Sequence, residues 1–227
     1  MEIKVFVVNM LQENTYVVRG DDGSCIVIDP GFLGYAENEK VLGYLSGLKP
    51  EAVFLTHGHM DHIYGAAAIQ KRFGIPVYMS PEDVKTMEYF DRVSRFGIPV
   101  ADRGFTTTPV KDGDIIEAAG FKFKVIGTPG HSPGSVCWLM EDEKVMFTGD
   151  TLFAGAIGRT DLIYGDYDDE IRSIMEKLIW LDGDIRIFPG HGSPSTIGTE
   201  RVSNPFLEPF NEREEIPELN DTDNDQD

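Results

Sequence analysis

Hydrophobic residues in the first third of the chain form short β-branched runs separated by turn residues. Three of these runs, Ile3–Val8, Thr15–Arg19 and Cys25–Asp29, predict β-strands. Apolar residues three and four positions apart over Glu37–Leu48 predict a helix, and the continuous apolar run Ala52–Thr56 predicts a buried strand. The chain therefore begins with strands and then alternates strand with helix.

The alternation continues along most of the remaining sequence. Helical spacing predicts further helices over Gly65–Phe73, over 81–103 and over Asp168–Trp180. In the second of these, Pro81 suits a first helical turn, where Glu82 and Asp83 complement the positive helix end. Further strands are predicted at Pro76–Met79, Asp114–Glu117, Phe121–Gly127, Ser135–Met140, Lys144–Thr148 and Ile185–Phe188. This rhythm predicts an α/β fold class.

Length and composition favour one globular domain. The 227 residues are 41% hydrophobic and 26% charged, which is typical of a globular chain long enough to bury its own core. We expect one domain over 1–210. The segment 211–227 contains eight acidic residues and one Arg without apolar periodicity, and we expect it to be a disordered tail.

Charge and cysteine content restrict the partners and the compartment. A formal net charge of −19 repels phosphate backbones and anionic headgroups, which argues against nucleic-acid and membrane-surface roles. Cys25 and Cys137 lie inside apolar runs, as expected of buried free thiols in a reducing compartment. No basic leader precedes the first strand, and no apolar run approaches the roughly 18 residues of a membrane span. We therefore expect a cytoplasmic protein.

The chain has five histidines, and each follows a predicted strand. They are His57, His59, His62, His131 and His191. Three of them lie with Asp61 in the segment T-H-G-H-M-D-H at 56–62. By the two-residue period of a strand, His57 and His59 share one face, whereas Asp61 and His62 lie past a turn. This geometry indicates two adjacent metal ions; the alternative is a solvated turn that happens to be rich in histidine.

The other candidate ligands lie in glycine-rich turns. His131 lies in G-T-P-G-H-S-P-G-S, His191 in F-P-G-H-G-S and Asp150 in M-F-T-G-D-T. Alone, Asp150 would be an ordinary turn former and either histidine an ordinary capping or surface residue. Together, four strand ends present ligand-type residues. The seven candidates combine imidazole and carboxylate, which suits Zn(II), Fe(II) or Mn(II).

The ligand set also indicates a reaction type. Two divalent ions bound by neutral imidazoles and two carboxylates keep a net positive charge, so such a centre deprotonates water near neutral pH and stabilises an oxyanion. No serine or cysteine nucleophile has a histidine to itself, because every histidine is already a candidate ligand. The sequence therefore predicts metal-assisted hydrolysis.

The motif H-x-H-x-D-H at 57–62, followed by His131, Asp150 and His191, resembles the metallo-β-lactamase superfamily. The flanking segments G-T-P-G-H-S-P-G-S, G-D-T-L-F-A-G-A-I-G-R-T-D and P-G-H-G-S-P-S-T-I-G-T-E-R-V-S-N-P-F-L resemble its glyoxalase II-like branch, the hydroxyacylglutathione hydrolases and their short single-domain relatives. The resemblance implies a four-layer αββα sandwich with the site at one edge of two sheets.

The resemblance also implies how the ligands are divided. His57, His59 and His131 would hold the first ion, whereas Asp61, His62 and His191 would hold the second, with Asp150 bridging. Asp61 and His62 would also belong to the catalytic centre. The implied reaction is hydrolysis of a small-molecule thioester such as S-2-hydroxyacylglutathione by a metal-bound hydroxide. Zinc is the expected metal, with Fe²⁺ and Mn²⁺ as alternatives.

The resemblance leaves two questions open. A persulfide dioxygenase of the same superfamily would hold one Fe(II) through His57, His131 and Asp150. In addition, full-length glyoxalase II enzymes carry a helical C-terminal domain with basic residues for the glutathione carboxylates, whereas 36 residues follow His191 here. Tight glutathione recognition is therefore not expected.

Two further positions allow alternative interpretations. Asp29 ends a predicted strand in I-D-P-G, and it is either a hydrogen-bond partner of a ligand histidine or a turn former. Arg159 and Asp161 in G-R-T-D either pair to hold a loop or present Arg159 to an anionic substrate group. We expect the histidine contact for Asp29 and the ion pair for Arg159.

Overall fold

Two six-stranded β-sheets form the centre of the protein. A computed structural model of the chain describes residues 1–93 and 99–210. The first sheet pairs its strands in chain order: β1 (Glu2–Val8), β2 (Glu13–Arg19), β3 (Ser24–Ile28), β4 (Lys49–Phe54), β5 (Val77–Met79) and β6 (Thr107–Pro109). The first three strands are antiparallel, and β3 to β6 run parallel to one another.

The second sheet has a different strand order. Its strands are β7 (Ile115–Ala118), β8 (Phe121–Gly127), β9 (Val136–Met140), β10 (Val145–Gly149), β13 (Arg186–Pro189) and β14 (Ser195–Thr196). They pair in the order β14-β13-β10-β9-β8-β7, and β10 is parallel to β13 while the other pairs are antiparallel. A two-stranded hairpin of β11 (Leu152–Phe153) and β12 (Ala156–Ile157) follows β10.

Helices connect the strands and cover the sheets. The α-helices are α1 (Gly34–Ser46), α2 (Met60–Ile63), α3 (Ala66–Phe73), α4 (Val84–Val93), α5 (Tyr167–Ser173) and α6 (Ile197–Ser203). Short 3₁₀ segments span Pro81–Asp83 and Pro205–Phe210, and a wider helical turn over Ile174–Leu178 extends α5. Helix α3 ends at Gly74, whose φ of 66° is the left-handed geometry that stops a helix.

An aromatic stack lies between the two sheets. Phe54 on β4 and Trp138 on β9 are fully buried, with ring centroids 4.3 Å and planes 14° apart. Phe123 packs edge-on against Phe54 at 4.8 Å. The Trp138 indole N–H donates a hydrogen bond of 3.1 Å to the Leu55 carbonyl, so its polar atom is satisfied. Burial of each such ring contributes about 2–3 kcal/mol to folding.

The two-residue period of the strands produces the outer layers. On β3, Ile26 and Ile28 face the inter-sheet core, whereas Cys25 and Val27 face the helices. On the second sheet, Cys137 and the alternate residues of its strands pack on the other face, against α5 and α6. The protein is therefore a four-layer αββα sandwich, and the expected fold is confirmed.

Several predicted boundaries are wrong. The predicted helix 81–103 is a 3₁₀ turn followed by α4, and residues 99–103 are not helical, while 94–98 lie outside the described residues. Strand β4 ends at Phe54, two residues before the prediction, because the chain leaves the sheet to form the loop that carries the histidines. Strands β6, β11, β12 and β14 and helices α2 and α6 were not predicted, since they are too short to show periodicity.

The described residues contain no helix that is long and apolar enough to cross a membrane. Both cysteines are buried and unpaired, as predicted. The acidic segment 211–227 lies outside the described residues.

Candidate metal centre

The histidine-rich segment forms a tight loop between β4 and α2. His57 and His59 lie beyond the end of the strand, so the prediction that they share a strand face is wrong; His59 is the residue that precedes α2. Asp61 and His62 lie within α2. Gly58 between the histidines is required, because a Cβ there would press against Asp83.

Three other loops bring the remaining candidates to the same edge of the sandwich. His131 follows β8, Asp150 directly follows β10 and His191 follows β13. A side chain at Gly190 would collide with Asp150 and His62. The glycine before His191 therefore allows these loops to approach one another closely.

The first ligand group consists of three buried histidines. The donor nitrogens of His57, His59 and His131 all lie within 4.8 Å of one another. His131 Nε2 is 2.8 Å from His59 Nδ1. Two segments that are far apart in the sequence, 57–59 and 131, thus aim three nitrogen atoms at one point.

The second ligand group is partly open to solvent. Asp61, His62 and His191 also place one donor atom each within 4.8 Å of the others. Asp61 Oδ2 is 3.3 Å from His191 Nε2 and 3.7 Å from His62 Nε2. The side chains of Asp61 and His191 are 13% and 27% exposed.

Asp150 lies between the two groups. One carboxylate oxygen, Oδ1, is 3.5 Å from His62 Nε2. The other, Oδ2, is 3.5 Å from His131 Nε2 and 3.6 Å from His191 Nε2. The Asp150 carboxylate thus contacts both groups, and all seven sequence candidates lie together.

In three of the five histidine rings, a hydrogen bond to Nδ1 fixes which nitrogen is free. The Nδ1 atoms of His62, His131 and His191 contact the Asp29 carboxylate (3.0 Å), the Arg159 carbonyl (2.8 Å) and the Leu11 carbonyl (3.1 Å) respectively. An acceptor-only partner requires that Nδ1 carries the proton, so Nε2 is the nitrogen left to bind an ion. In each of these rings Nε2 faces the other candidate ligands.

Some of these atoms are buried without any partner among the described residues. They include Nε2 of His57, His59 and His62 and Oδ1 of Asp150. Buried polar atoms without a hydrogen bond each cost on the order of 1–3 kcal/mol. The orphan atoms of His57, His62 and Asp150 lie among the candidate ligands, as expected of a cation site, whereas His59 turns Nδ1 and not Nε2 toward His131.

Electrostatics favour the metal-binding protonation states of His57, His59 and Asp150, whereas the carboxylates of Asp150 and Asp61 outweigh burial and raise the pKa of His62. Burial, reinforced by the neighbouring histidines, lowers the pKa of His57 well below its usual value and that of His59 to about 3. Burial opposes ionisation of Asp150, but His62 and the other imidazoles outweigh it and hold the pKa of that carboxyl below its usual range. Both histidines are therefore neutral and Asp150 is ionised at neutral pH.

Asp83 connects the two loops that carry the first group. Its Oδ2 accepts hydrogen bonds from the Gly58 N–H (2.6 Å) and the Ser132 hydroxyl (2.8 Å). Its Oδ1 accepts from the Gly134 N–H (2.8 Å) and the Thr86 hydroxyl (3.2 Å). The sequence predicted only that the charge of Asp83 complements a helix end. Nothing in the neighbouring sequence indicates that its carboxylate also accepts hydrogen bonds from two distant loops.

Asp29 supports the neighbouring histidines. Its carboxylate accepts hydrogen bonds from the Thr56 N–H (2.7 Å), the Thr56 hydroxyl (2.6 Å) and His62. The Thr56 oxygen in turn lies 3.0 Å from His57 Nδ1, so this ring also presents Nε2. The expected contact between Asp29 and a ligand histidine is confirmed, and its φ of 45° is strained geometry at the site.

Glu170 on α5 holds the His131 loop from behind. It is fully buried, its Oε2 accepts the His131 N–H at 2.8 Å, and burial raises its pKa to about 9. Sequence reasoning did not find this residue, because an acidic residue in a first helical turn is common.

Arg159 pairs with Asp161 as expected, through two hydrogen bonds of 2.7 and 2.8 Å.

A sequence model described as the metallo-beta-lactamase superfamily matches residues 8–191. The chain belongs to the metallo-beta-lactamase superfamily. Members of this superfamily are metal-dependent hydrolases that bind divalent ions, and the site described above lies inside the matched region.

Individual relatives match nearly the whole chain. Hydroxyacylglutathione hydrolase GloC of Haemophilus influenzae is 38% identical over 216 residues, which cover 91% of this chain and 98% of that protein. The crystal structure of the B3 metallo-beta-lactamase BLEG-1 is similar, with a TM-score of 0.81 and 34% identity over 91% of this chain and 99% of that one. TTHA1623, solved in a di-iron-bound form, has a TM-score of 0.78 and 35% identity over 90% of this chain and 100% of that one.

Proposed function

We propose that the chain hydrolyses thioesters at a centre of two divalent metal ions. His57, His59 and His131 would hold the first ion. Asp61, His62 and His191, which form the more open side of the centre, would hold the second, and the Asp150 carboxylate contacts both groups. The observation that carries the proposal is the set of orphan buried acceptors, Nε2 of His57 and His62 and Oδ1 of Asp150, which converge where cations would lie.

The donor chemistry supports ordinary divalent transition metals. Five imidazoles and two carboxylates without a thiolate suit zinc, iron or manganese. Zinc is our first expectation for this chain. Because TTHA1623 was solved with two irons, the metal content has to be measured.

When bound, such ions lower the pKa of a coordinated water toward neutrality and polarise a carbonyl oxygen. Two ligands of the first ion, His57 and His59, need no deprotonation, because burial keeps both neutral at neutral pH. Asp61 and Asp150 supply negative charge, and His62 is oriented by Asp29. A thiolate leaves without a strong proton donor, which agrees with a site where every histidine is a ligand.

The thioester assignment is supported by likeness to the hydroxyacylglutathione hydrolase of Haemophilus influenzae over nearly its whole length. The alternative, a persulfide dioxygenase with one Fe(II), would use His57, His131 and Asp150 only. It would leave the Asp61, His62 and His191 group without an ion, although the donor atoms of that group also lie within 4.8 Å of one another. The geometry therefore favours two ions and hydrolysis.

Elemental analysis of protein purified without added metal tests the proposal, together with thioester hydrolysis and oxygen uptake with glutathione persulfide. We expect two divalent ions per chain, thioester hydrolysis and no oxygen uptake. One iron per chain with oxygen uptake would instead establish the dioxygenase.

The variant His59→Ala tests the ligand assignment. Without this ligand the protein should no longer bind the first ion, and kcat/KM for thioesters should fall at least about a hundredfold. Lys122→Ala, on the exposed part of β8, serves as the control and should retain metal and activity. Rates near wild type with an unchanged metal content would refute the assignment of His59.

A further inference from the structure

A cavity of about 640 Å³ opens in front of the two ligand groups. Its volume lies within the range of pockets that bind small molecules. The ligand side chains form one part of its wall. The rest of the wall is largely apolar and includes Leu11, Tyr64, Phe90, Phe153, Ile157 and Leu162.

The apolar wall begins next to a candidate ligand. Phe90 on α4 packs edge-on against the ring of His59, with centroids 5.0 Å and planes 87° apart. A substrate group beside the reacting carbonyl therefore meets hydrocarbon rather than a hydrogen-bonding surface. Recognition there depends on apolar area removed from water.

The cavity wall also includes an exposed apolar side chain on an anchored turn. Leu11 is 59% exposed on the turn between β1 and β2. Asn9 anchors that turn: its Nδ2 donates to the carbonyls of Gly31 and Asp61, each at 3.0 Å, and its Oδ1 accepts the Leu11 N–H at 2.8 Å. The Leu11 side chain therefore becomes buried only when a ligand covers it.

Positive charge is scarce around the cavity. Among the described residues that line it, Arg159 is the one lysine or arginine. Its guanidinium is already paired with both carboxylate oxygens of Asp161. Glutathione carries two carboxylates. The described lining residues include no lysine or arginine that is free of an ion pair and could bind either carboxylate.

We propose, building on the thioester hydrolysis proposed above, that the substrate carries an apolar acyl group. The acyl chain lies against the wall formed by Phe90, Leu11 and their apolar neighbours. Binding of the acyl chain, and not of the carboxylates of the thiol carrier, determines specificity.

Acyl thioesters of N-acetylcysteamine, a small neutral thiol, provide the test. kcat/KM is measured for the acetyl, butanoyl, hexanoyl and octanoyl thioesters with the full metal-loaded chain, and S-lactoylglutathione is the comparison. Each buried methylene should raise kcat/KM roughly fourfold, the fold-change that corresponds to about 0.8 kcal/mol. Hexanoyl should exceed acetyl on the order of a hundredfold and should exceed S-lactoylglutathione.

Leu11→Ala localises the effect. This variant should lower kcat/KM for the hexanoyl thioester about tenfold and for the acetyl thioester much less, because only the longer chain reaches the cavity mouth. Met10→Ala is a matched control: Met10 is the next residue, is 72% exposed and does not line the cavity. It should leave both values unchanged.

The outcomes separate this inference from the function on which it rests. Turnover that is flat across the acyl series, or a preference for S-lactoylglutathione that Arg159→Ala abolishes, would overturn the apolar acyl assignment and leave thioester hydrolysis intact. Absence of hydrolysis for every thioester in a protein that holds both metals would overturn both.

Discussion

The two ligand groups differ in how the fold encloses them. In the first group, His57, His59 and His131 are 1%, 5% and 2% exposed. In the second group, the side chains of Asp61 and His191 are 13% and 27% exposed. Each group has three donor atoms within 4.8 Å of one another, but the first consists of three imidazoles and the second of two imidazoles and a carboxylate, so the groups differ in ligands as well as in surroundings.

The supporting contacts differ in the same way. Buried acids, Asp83 and Glu170, hold the loops of the first group. In the second group, buried Asp29 orients His62, whereas His191 and Asp61 contact the exposed turn between β1 and β2, through the Leu11 carbonyl and the Asn9 side chain. We therefore expect the first group to be preformed and to bind its ion more tightly.

Asp83→Asn should have the largest effect on this difference. The asparagine amide keeps one acceptor oxygen, so two of the four donors that Asp83 now satisfies would face an NH₂ group. We expect the affinity of the first group for its ion to fall about 10- to 100-fold, while the second group changes little. Metal affinity is measured by competition with a chromophoric chelator.

Asp142→Asn is the matched control for that experiment, since Asp142 is exposed in the turn between β9 and β10. It should leave both affinities unchanged. Equal weakening of the two ions in Asp83→Asn would show that the groups are not separately supported.

Asn9→Ala should weaken ion binding at the second group and leave the first group unchanged. The substitution removes the hydrogen bonds to the Gly31 and Asp61 carbonyls and places alanine at a φ of 51°, a left-handed geometry that favours asparagine. We expect about tenfold weaker binding of the second ion in the same competition assay. Gln12→Ala, in the same turn with a φ of 58°, controls for the backbone strain alone.

Glu170→Gln should have the smallest effect, and it appears as a pH dependence. Because burial raises the pKa of Glu170 from 4.5 to about 9, the folded state holds a proton that the unfolded state has lost between these values. The free energy of unfolding therefore falls as pH rises through this range, and glutamine removes that loss. The free energy of unfolding of the metal-free proteins is measured with denaturant at pH 5 and at pH 8. Between these values, that of Glu170→Gln should rise relative to wild type by at least about 1 kcal/mol. Parallel pH profiles would show that Glu170 does not titrate in this range.

The candidate ligands were predictable because their signal is chemical. All seven were identified from residue type and from their position after apolar strands, and the structure brings all seven together. The long strands were also predictable, since β8 has mixed exposed and buried positions typical of a half-buried strand, while β9 and β10 are buried throughout and form continuous apolar runs.

The supporting residues were not predictable, because their roles depend on contacts between distant segments. Asp83 contacts Ser132 and Gly134 across about 50 residues of sequence, and Glu170 contacts His131 across 39. Neither acid differs locally from an ordinary helix-end residue. Leu11 and Phe90 of the cavity wall were missed for the same reason, since they meet the site only after folding.

Calorimetric titration of metal-free protein with Zn²⁺ tests most directly whether two separate ion sites converge here. We predict two binding events, one tight and one weaker, with the tight event weakened only in Asp83→Asn and the other only in Asn9→Ala. A single event of one ion per chain, or weakening of the same event in both variants, would contradict the two-site account.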